Sequence, residues 1–208
     1  MPRSSFQRPT RDRMTGPKFL IACEGDGEKA YLEAIRQSLR LSNRQIIVLN
    51  EKGTDPLSIV KSVIEHRIAL KKEGTWLSRD SAWAAFDGDE HRDNDRENWY
   101  QALDLAQAQG INLAVSNPSL ELWYLLHFQD QQSYIHRDKA VEELKKHTPQ
   151  YQKPLPLLSV TPEARQAAVQ RAAWLAERNR EAGRPFYNNP SSGMGKLIEL
   201  LLKLGKQT

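Results

Sequence analysis

A five-residue apolar run that ends on a carboxylate and passes at once into helical spacing constrains this chain most. Phe19, Leu20, Ile21, Ala22 and Cys23 are too few for a core helix and suit a parallel strand covered on both faces. Glu24 follows, Gly25 and Gly27 allow a tight turn, and Ala30, Tyr31, Ala34, Ile35 and Leu39 then recur at the spacing of a helix. The pattern repeats. Residues 45–49 (QIIVL) read as a second strand, and Asp55-Pro56 opens a helix by setting a capping carboxylate before a proline at the first turn. Residues 81–86 (SAWAAF) are a third strand ending in Asp87-Gly88-Asp89. A helix over about 95–109 stops at Gly110, and residues 111–115 (INLAV) form a fourth strand. Four alternations of strand and helix predict an α/β fold: a Rossmann-like, four-stranded parallel sheet in the order 2-1-3-4 with helices on both faces.

Past residue 116 the pattern turns helical, over about 120–128, 139–147, 162–182 and 194–204. The chain therefore divides into a basic tail (1–17), an α/β core (18–130) and a C-terminal helical extension packed on that core (131–208). The tail carries three prolines and four arginines with almost nothing to bury, and is expected to be disordered. No apolar run approaches the roughly 18 residues of a membrane span, and the opening residues lack the apolar core of a secretory signal, so a cytoplasmic protein with no membrane partner is expected. The lone cysteine, Cys23, excludes an internal disulfide framework and a cysteine zinc site. Net charge is +4, yet the acids gather at Asp87–Asp95 while bases gather at 3–13, 71–72 and 165–184. That division suits a metal-dependent enzyme acting on nucleic acid: diffuse positive charge attracts phosphates while local carboxylates hold the cation.

Asp87 and Asp89 stand two apart, and residues two apart on an extended segment point the same way. Alone, this Asp-x-Asp pair is open to several readings. It suits a metal-bound sugar nucleotide in a glycosyltransferase, a phosphatase whose first Asp is the nucleophile, or a solvated acidic loop; the phosphatase pattern expects Thr or Val where His91 stands. The order 2-1-3-4 sets strands one and three side by side, about 4.8 Å apart, and so brings Glu24 to the same end of the sheet. Three carboxylates crowded at neutral pH repel one another, and a hard divalent cation, Mg²⁺ or Mn²⁺, resolves the repulsion. Such a cation polarises a phosphodiester and generates hydroxide from water.

Glu24-Gly25 after one strand and Asp-x-Asp after another resembles the Toprim domain of topoisomerases, primases and OLD-type nucleases. Residues 116–128, Ser-Asn-Pro-Ser-Leu-Glu-Leu-Trp-Tyr-Leu-Leu-His-Phe, resemble the SNPxFExWxLLHF segment of the RloB (AbiLii-like) family, with Leu120 in place of Phe. Asn189-Pro190-Ser191-Ser192 resembles that family's NPST turn, with Ser192 in place of Thr. The resemblance spans about residues 19–202. It implies a small Toprim-like protein of bacterial phage-defence, abortive-infection or restriction-linked loci, with metal-dependent nuclease activity on DNA or RNA. Glu24 would act as a general acid or base or join the metal shell, and Asp87 and Asp89 would bind Mg²⁺. The small size, without a separate DNA-binding module, favours a different class: a non-catalytic sensing subunit, beside an ATPase or restriction-system partner or in a homo-oligomer, that recognises nucleic acid without turnover.

Several further residues are candidates. Asn117 is a natural helix cap, with Pro118 at the first helical position, and otherwise a substrate contact. Glu121 interrupts an apolar stretch where an unpaired carboxylate is costly, so it completes the metal site or pairs with a base. Lys29 in the first helix and Lys196 near the start of the last, after Gly193 and Gly195, are candidate phosphate contacts, although no full P-loop spacing is present. His91 could bond a phosphate or sit in solvent, whereas His127, on an apolar face, reads as structural. Glu90, Asp93 and Asp95 offer a second cation site or simply a solvated face.

Overall fold

The computed structural model describes residues 16–50, 55–152 and 160–206. Residues 1–15 of the expected tail lie outside these. Strand β1 (Phe19–Cys23) leads into α1 (Asp26–Ser38), β2 (Ile46–Asn50) into α2 (Pro56–Lys72), and β3 (Ser81–Asp87) into α3 (Asp89–Asn94) and α4 (Arg96–Gln109). Then follow β4 (Asn112–Asn117), α5 (Leu120–Leu125), α6 (Arg137–His147), α7 (Pro162–Glu181), β5 (Ser191–Ser192) and α8 (Met194–Gly205). The sheet runs β2-β1-β3-β4-β5. The first four strands are parallel in the expected order, and β5 adds an antiparallel edge by pairing Ser116 with Ser192 and Asn117 with Ser191. The expectation of four strands is thus corrected to five. Two serines carry no alternation to read, and only the neighbouring backbone makes them a strand.

Two apolar layers cover the sheet, and alternate residues of each strand separate them. Leu20 and Ala22 of β1 and Ala82, Ala84 and Phe86 of β3 face α2 and α4, where Ile59, Val60, Val63 and Trp99 are buried. Phe19, Ile21, Cys23, Trp83 and Ala85 face the opposite layer, built from α1, α5, α6, α7 and α8. This second layer draws on both ends of the chain: Tyr31 of α1 packs edge-on against Trp123 of α5 at 6.1 Å, and Leu197 and Leu201 of α8 belong to the same core. Local signals hold the helix ends where capping chemistry predicts. Asp55 accepts from the Ser58 N–H at 3.0 Å, Gly110 closes α4 with φ 62°, and Thr161 caps α7 ahead of Pro162. Among the described residues no helix is long and apolar enough to cross a membrane.

Gly193 shows why the last helix sits so close to the sheet. Its N–H donates to Val115 O at 2.7 Å, and a Cβ there would meet Ala114 Cα and Leu113 O at 2.9 Å each. Only glycine lets α8 start against the backbone of β4.

Candidate active site

The parallel register delivers the acids to one edge. Cys23 stands opposite Ala85, the Glu24 N–H continues the ladder to Ala85 O at 3.1 Å, and Asp87 stands opposite Ser116 at the end of β3. Glu24 and Asp87 therefore leave the sheet side by side at its carboxyl end, where ligand sites of open α/β sheets form. Glu24 Oε2 accepts from the Asp87 N–H at 3.1 Å, and His91 Nε2 donates to Glu24 Oε1 at 2.9 Å. His91 thus faces the site on the first helical turn after Asp89. Asp87 Oδ1 accepts from the Leu120 N–H at 2.9 Å, which ties β3 to the start of α5.

Asp87 and Asp89 do meet, but by a different route from two side chains on one strand. Asp87 ends β3, Asp89 opens α3, and Gly88 turns between them, its N–H donating to Ser116 O at 2.8 Å. One guanidinium bridges the pair: Arg137 Nη2 lies 3.0 Å from Asp87 Oδ2 and 3.0 Å from Asp89 Oδ1. Arg137 opens α6, fifty residues after Asp87, and no sequence spacing links the two.

Glu28 is the other residue that the sequence reading passed over. It sits on the first turn of α1, four residues after Glu24, and is buried. A Cβ on Gly25 would lie 2.9 Å from Glu28 Oε2, so the glycine makes room for a carboxylate folded back towards the strand end. The signal was present: an acid at i+4 on a helix whose other inward positions are apolar. Glu121 is almost wholly buried, its Oε2 accepting from Ser119 Oγ at 2.6 Å and its Oε1 from Tyr151 Oη at 2.9 Å. These hydroxyls supply the buried charge with hydrogen bonds that an apolar surround would deny it.

The charges interact. Burial first, and then the Glu28, Glu24 and Glu121 carboxylates, push the Asp87 carboxyl well above the usual carboxylate range, with Arg137 pulling the other way. Burial, then Glu28, likewise raises the Cys23 thiol, while Lys29 on α1 opposes the rise. Lys29 therefore lies in the field of this strand end. Tyr151 is raised by burial and by Glu121, so it remains a donor at any ordinary pH.

Other candidates are placed elsewhere. Asn117 is buried at the end of β4, and its side-chain amide donates to Tyr187 O at 2.7 Å. It does not cap α5. Ser119 is the N-cap residue, because β4 keeps its pairing through Asn117 and Pro118 serves as a turn whose carbonyl accepts from the Gly88 and Asp89 N–H groups. Lys196 is largely exposed and pairs with Glu199 on its own helix at 3.4 Å. Asp95 caps α4 by accepting from the Asn98 N–H, and Asp93 pairs with Arg92, which accounts for both without a cation. The side chain of Glu90 lies outside the described residues. His127 is structural as expected, with Nδ1 donating to Trp123 O at 2.9 Å and Nε2 accepting from Tyr31 Oη at 3.0 Å.

Among the described residues no group of three or more His, Cys, Asp or Glu side chains stands in ligating geometry for a metal. The donor chemistry nonetheless fits a hard cation: every acid here offers oxygen, and beyond burial the neighbouring carboxylates raise Asp87 against the opposing pull of Arg137.

Fold and site together define an α/β protein with an acidic centre at the carboxyl ends of adjacent parallel strands. The chain matches the RloB-like protein family over residues 19–201, nearly its whole length, and belongs to that family. Among solved structures it is similar to the C-terminal region of the Burkholderia pseudomallei OLD protein, at 15% identity and a TM-score of 0.36, over 91% of this chain and 98% of that one. No curated protein sequence matches it.

Proposed function

We propose that the protein is a Toprim-like, Mg²⁺- or Mn²⁺-dependent nuclease that hydrolyses phosphodiesters of DNA or RNA in a cytoplasmic bacterial phage-defence or restriction-linked system. The observation that carries this reading is the gathering of Glu24 and Asp87 at one strand end, where burial first and then the Glu28, Glu24 and Glu121 carboxylates raise the proton affinity of Asp87. Charge gathered at such a cost in stability is characteristic of catalytic sites. Glu24, Glu28, Asp87 and Asp89 would hold the cation, with Glu121 behind them on its two hydroxyls. A divalent ion there supplies Lewis acidity at a phosphoryl oxygen and a more acidic water. His91, bonded to Glu24 Oε1, orients that carboxylate and can take up or return a proton through Nε2. Arg137, released from the aspartates, provides a planar donor for phosphate.

The Arg137 bridge supports the second reading as well. Its single positive charge already neutralises part of the site, as a sensing subunit without turnover would need. The test is cleavage of labelled single- and double-stranded DNA and RNA with Mg²⁺ or Mn²⁺. Intact protein, Glu24→Ala and Asp87→Ala/Asp89→Ala are compared, with folding checked by circular dichroism. Metal-dependent cutting that both variants lose supports the nuclease. Absence of cutting by the folded protein on every substrate rejects it in favour of the sensing subunit.

A further inference from the structure

Beside the acidic centre lies an open cleft of about 410 Å³ lined by Asp89, Asp93, Pro118, Tyr134, His136 and Arg137, among others. Tyr134 is the unusual member. Its side chain belongs to the apolar-bodied class that dominates cores, yet it is 72% exposed. The backbone beneath it is held: Asn189 clamps Ile135 from both sides, its Oδ1 accepting from the Ile135 N–H at 3.1 Å and its Nδ2 donating to Ile135 O at 2.9 Å. Ile135 itself is buried. The ring therefore stands in solvent on a fixed support, at the mouth of the cleft that contains Asp89 and Arg137.

A second aromatic group continues from it. Arg92 of α3, paired first with Asp93, also lies within electrostatic range of Tyr134 and Tyr187. Tyr187 packs edge-on against buried Trp99 at 5.2 Å and against Phe186 at 5.1 Å. Phe186 is 52% exposed and Tyr100, beside Tyr187, is 51% exposed. This group too is anchored to the site, since Asn117 at the end of β4 donates to Tyr187 O. Exposed Tyr134 and half-buried Tyr187 thus share the field of Arg92, which pairs with Asp93; Phe186 and Tyr100 are exposed beside Tyr187, and Arg96 and Arg184 are exposed on the same two segments.

We propose that this band is a stacking platform for single-stranded nucleic acid, which delivers an unpaired strand to the acidic centre with a base on Tyr134 and further bases on Phe186 and Tyr100. The inference rests on the nuclease reading for what happens at the acids, but binding stands apart from it. Rings with exposed faces next to cations are what a strand with free bases can use, because each base offers a π-face while arginine meets the phosphates. A duplex keeps its bases stacked inside and offers these rings little. The cleft also holds Asp93 and Asp138, so the phosphates approach it best when a divalent cation is present.

The experiment is fluorescence anisotropy with a labelled 20-nucleotide single strand, as DNA and as RNA, and with the matching duplex. It is run in Ca²⁺ and again in EDTA, with cleavage in Mg²⁺ followed separately. Intact protein is expected to bind the single strand at least tenfold more tightly than the duplex. Tyr134→Ala should weaken single-strand binding by roughly 5- to 150-fold, the range that one stacked base provides, while Tyr134→Phe retains it. Phe186→Ala should lose less, and neither exposed position should alter folding. Equal affinity for duplex and single strand, or single-strand binding by Tyr134→Ala that matches intact protein, overturns the platform. Selective, Tyr134-dependent binding without cutting supports the platform and refutes the nuclease. Cutting that Tyr134→Ala leaves unchanged, with unchanged binding, does the reverse.

Discussion

His127 gives the protein a stability that depends on pH in a calculable way. Burial pushes its imidazole down to about 4, with Arg165 and Arg171 adding to the effect against the hydrogen bonds of the Trp123 and Tyr124 backbone. Its geometry requires the neutral ring: Nδ1 donates to Trp123 O, and Nε2 must keep a lone pair for the Tyr31 hydroxyl. In the unfolded chain the same ring titrates near 6.5. Between these values the unfolded state takes up a proton that the folded state refuses, so the contribution is full above pH 6.5 and is lost as pH falls towards 4. The arithmetic predicts a loss of about 2 kcal/mol between pH 7.5 and pH 5, approaching about 3 kcal/mol near pH 4. The assay is urea unfolding of intact protein and of His127→Gln at pH 7.5 and pH 5. The carboxylates contribute alike to both proteins, so subtraction isolates His127. Intact protein should lose about 2 kcal/mol more than the variant over this interval. Equal losses would refute the buried neutral imidazole and the Tyr31–His127–Trp123 chain with it.

The remaining predictions concern the site and its frame. Tyr151→Phe removes one of the two hydroxyls on buried Glu121 and should cost about 1–3 kcal/mol in urea unfolding. Gly193→Ala drives a Cβ into the β4 backbone and should cost about 1–3 kcal/mol or more, read as a lowered thermal midpoint, whereas Gly183→Ala, away from the site in open space at φ 63°, should cost only its backbone strain. Mg²⁺ or Mn²⁺ should raise the unfolding free energy of intact protein by about 2.7 kcal/mol at a hundred times the dissociation constant, read as a raised midpoint, and should leave Asp87→Ala/Asp89→Ala unmoved. An equal rise in both would place the cation elsewhere.

The central sheet was legible in the chain because its information is local. Strands buried on both faces must be apolar throughout, helices over them must repeat every three or four residues, and the alternation of the two leaves a parallel sheet as the economical arrangement. Glu24, Asp87 and Asp89 could be picked out for the same reason: a carboxylate just past such a strand has one place to go, the sheet's carboxyl end. The capping residue Asp55 and the terminating Gly110 are likewise matters of a few adjacent atoms.

What only the tertiary structure decided lies between segments distant in the chain. Arg137 meets Asp87 and Asp89 because α6 packs across the strand ends, and nothing within a few residues of Arg137 announces an ion pair fifty positions away. Ser191 and Ser192 form a strand because β4 offers its free edge, and Asn117 becomes a buried brace on Tyr187 because that edge is occupied. Tyr134 stands just before Ile135 and Phe186 beside Tyr187, and neither setting announces an exposed ring near the strand ends; Asn189 and Asn117 hold the neighbouring backbones there only once the chain has folded. Sequence alone determined which residues must be covered, since that follows from each segment's own periodicity. Which charges face each other, and which rings are left uncovered, depended on how the covered faces came together.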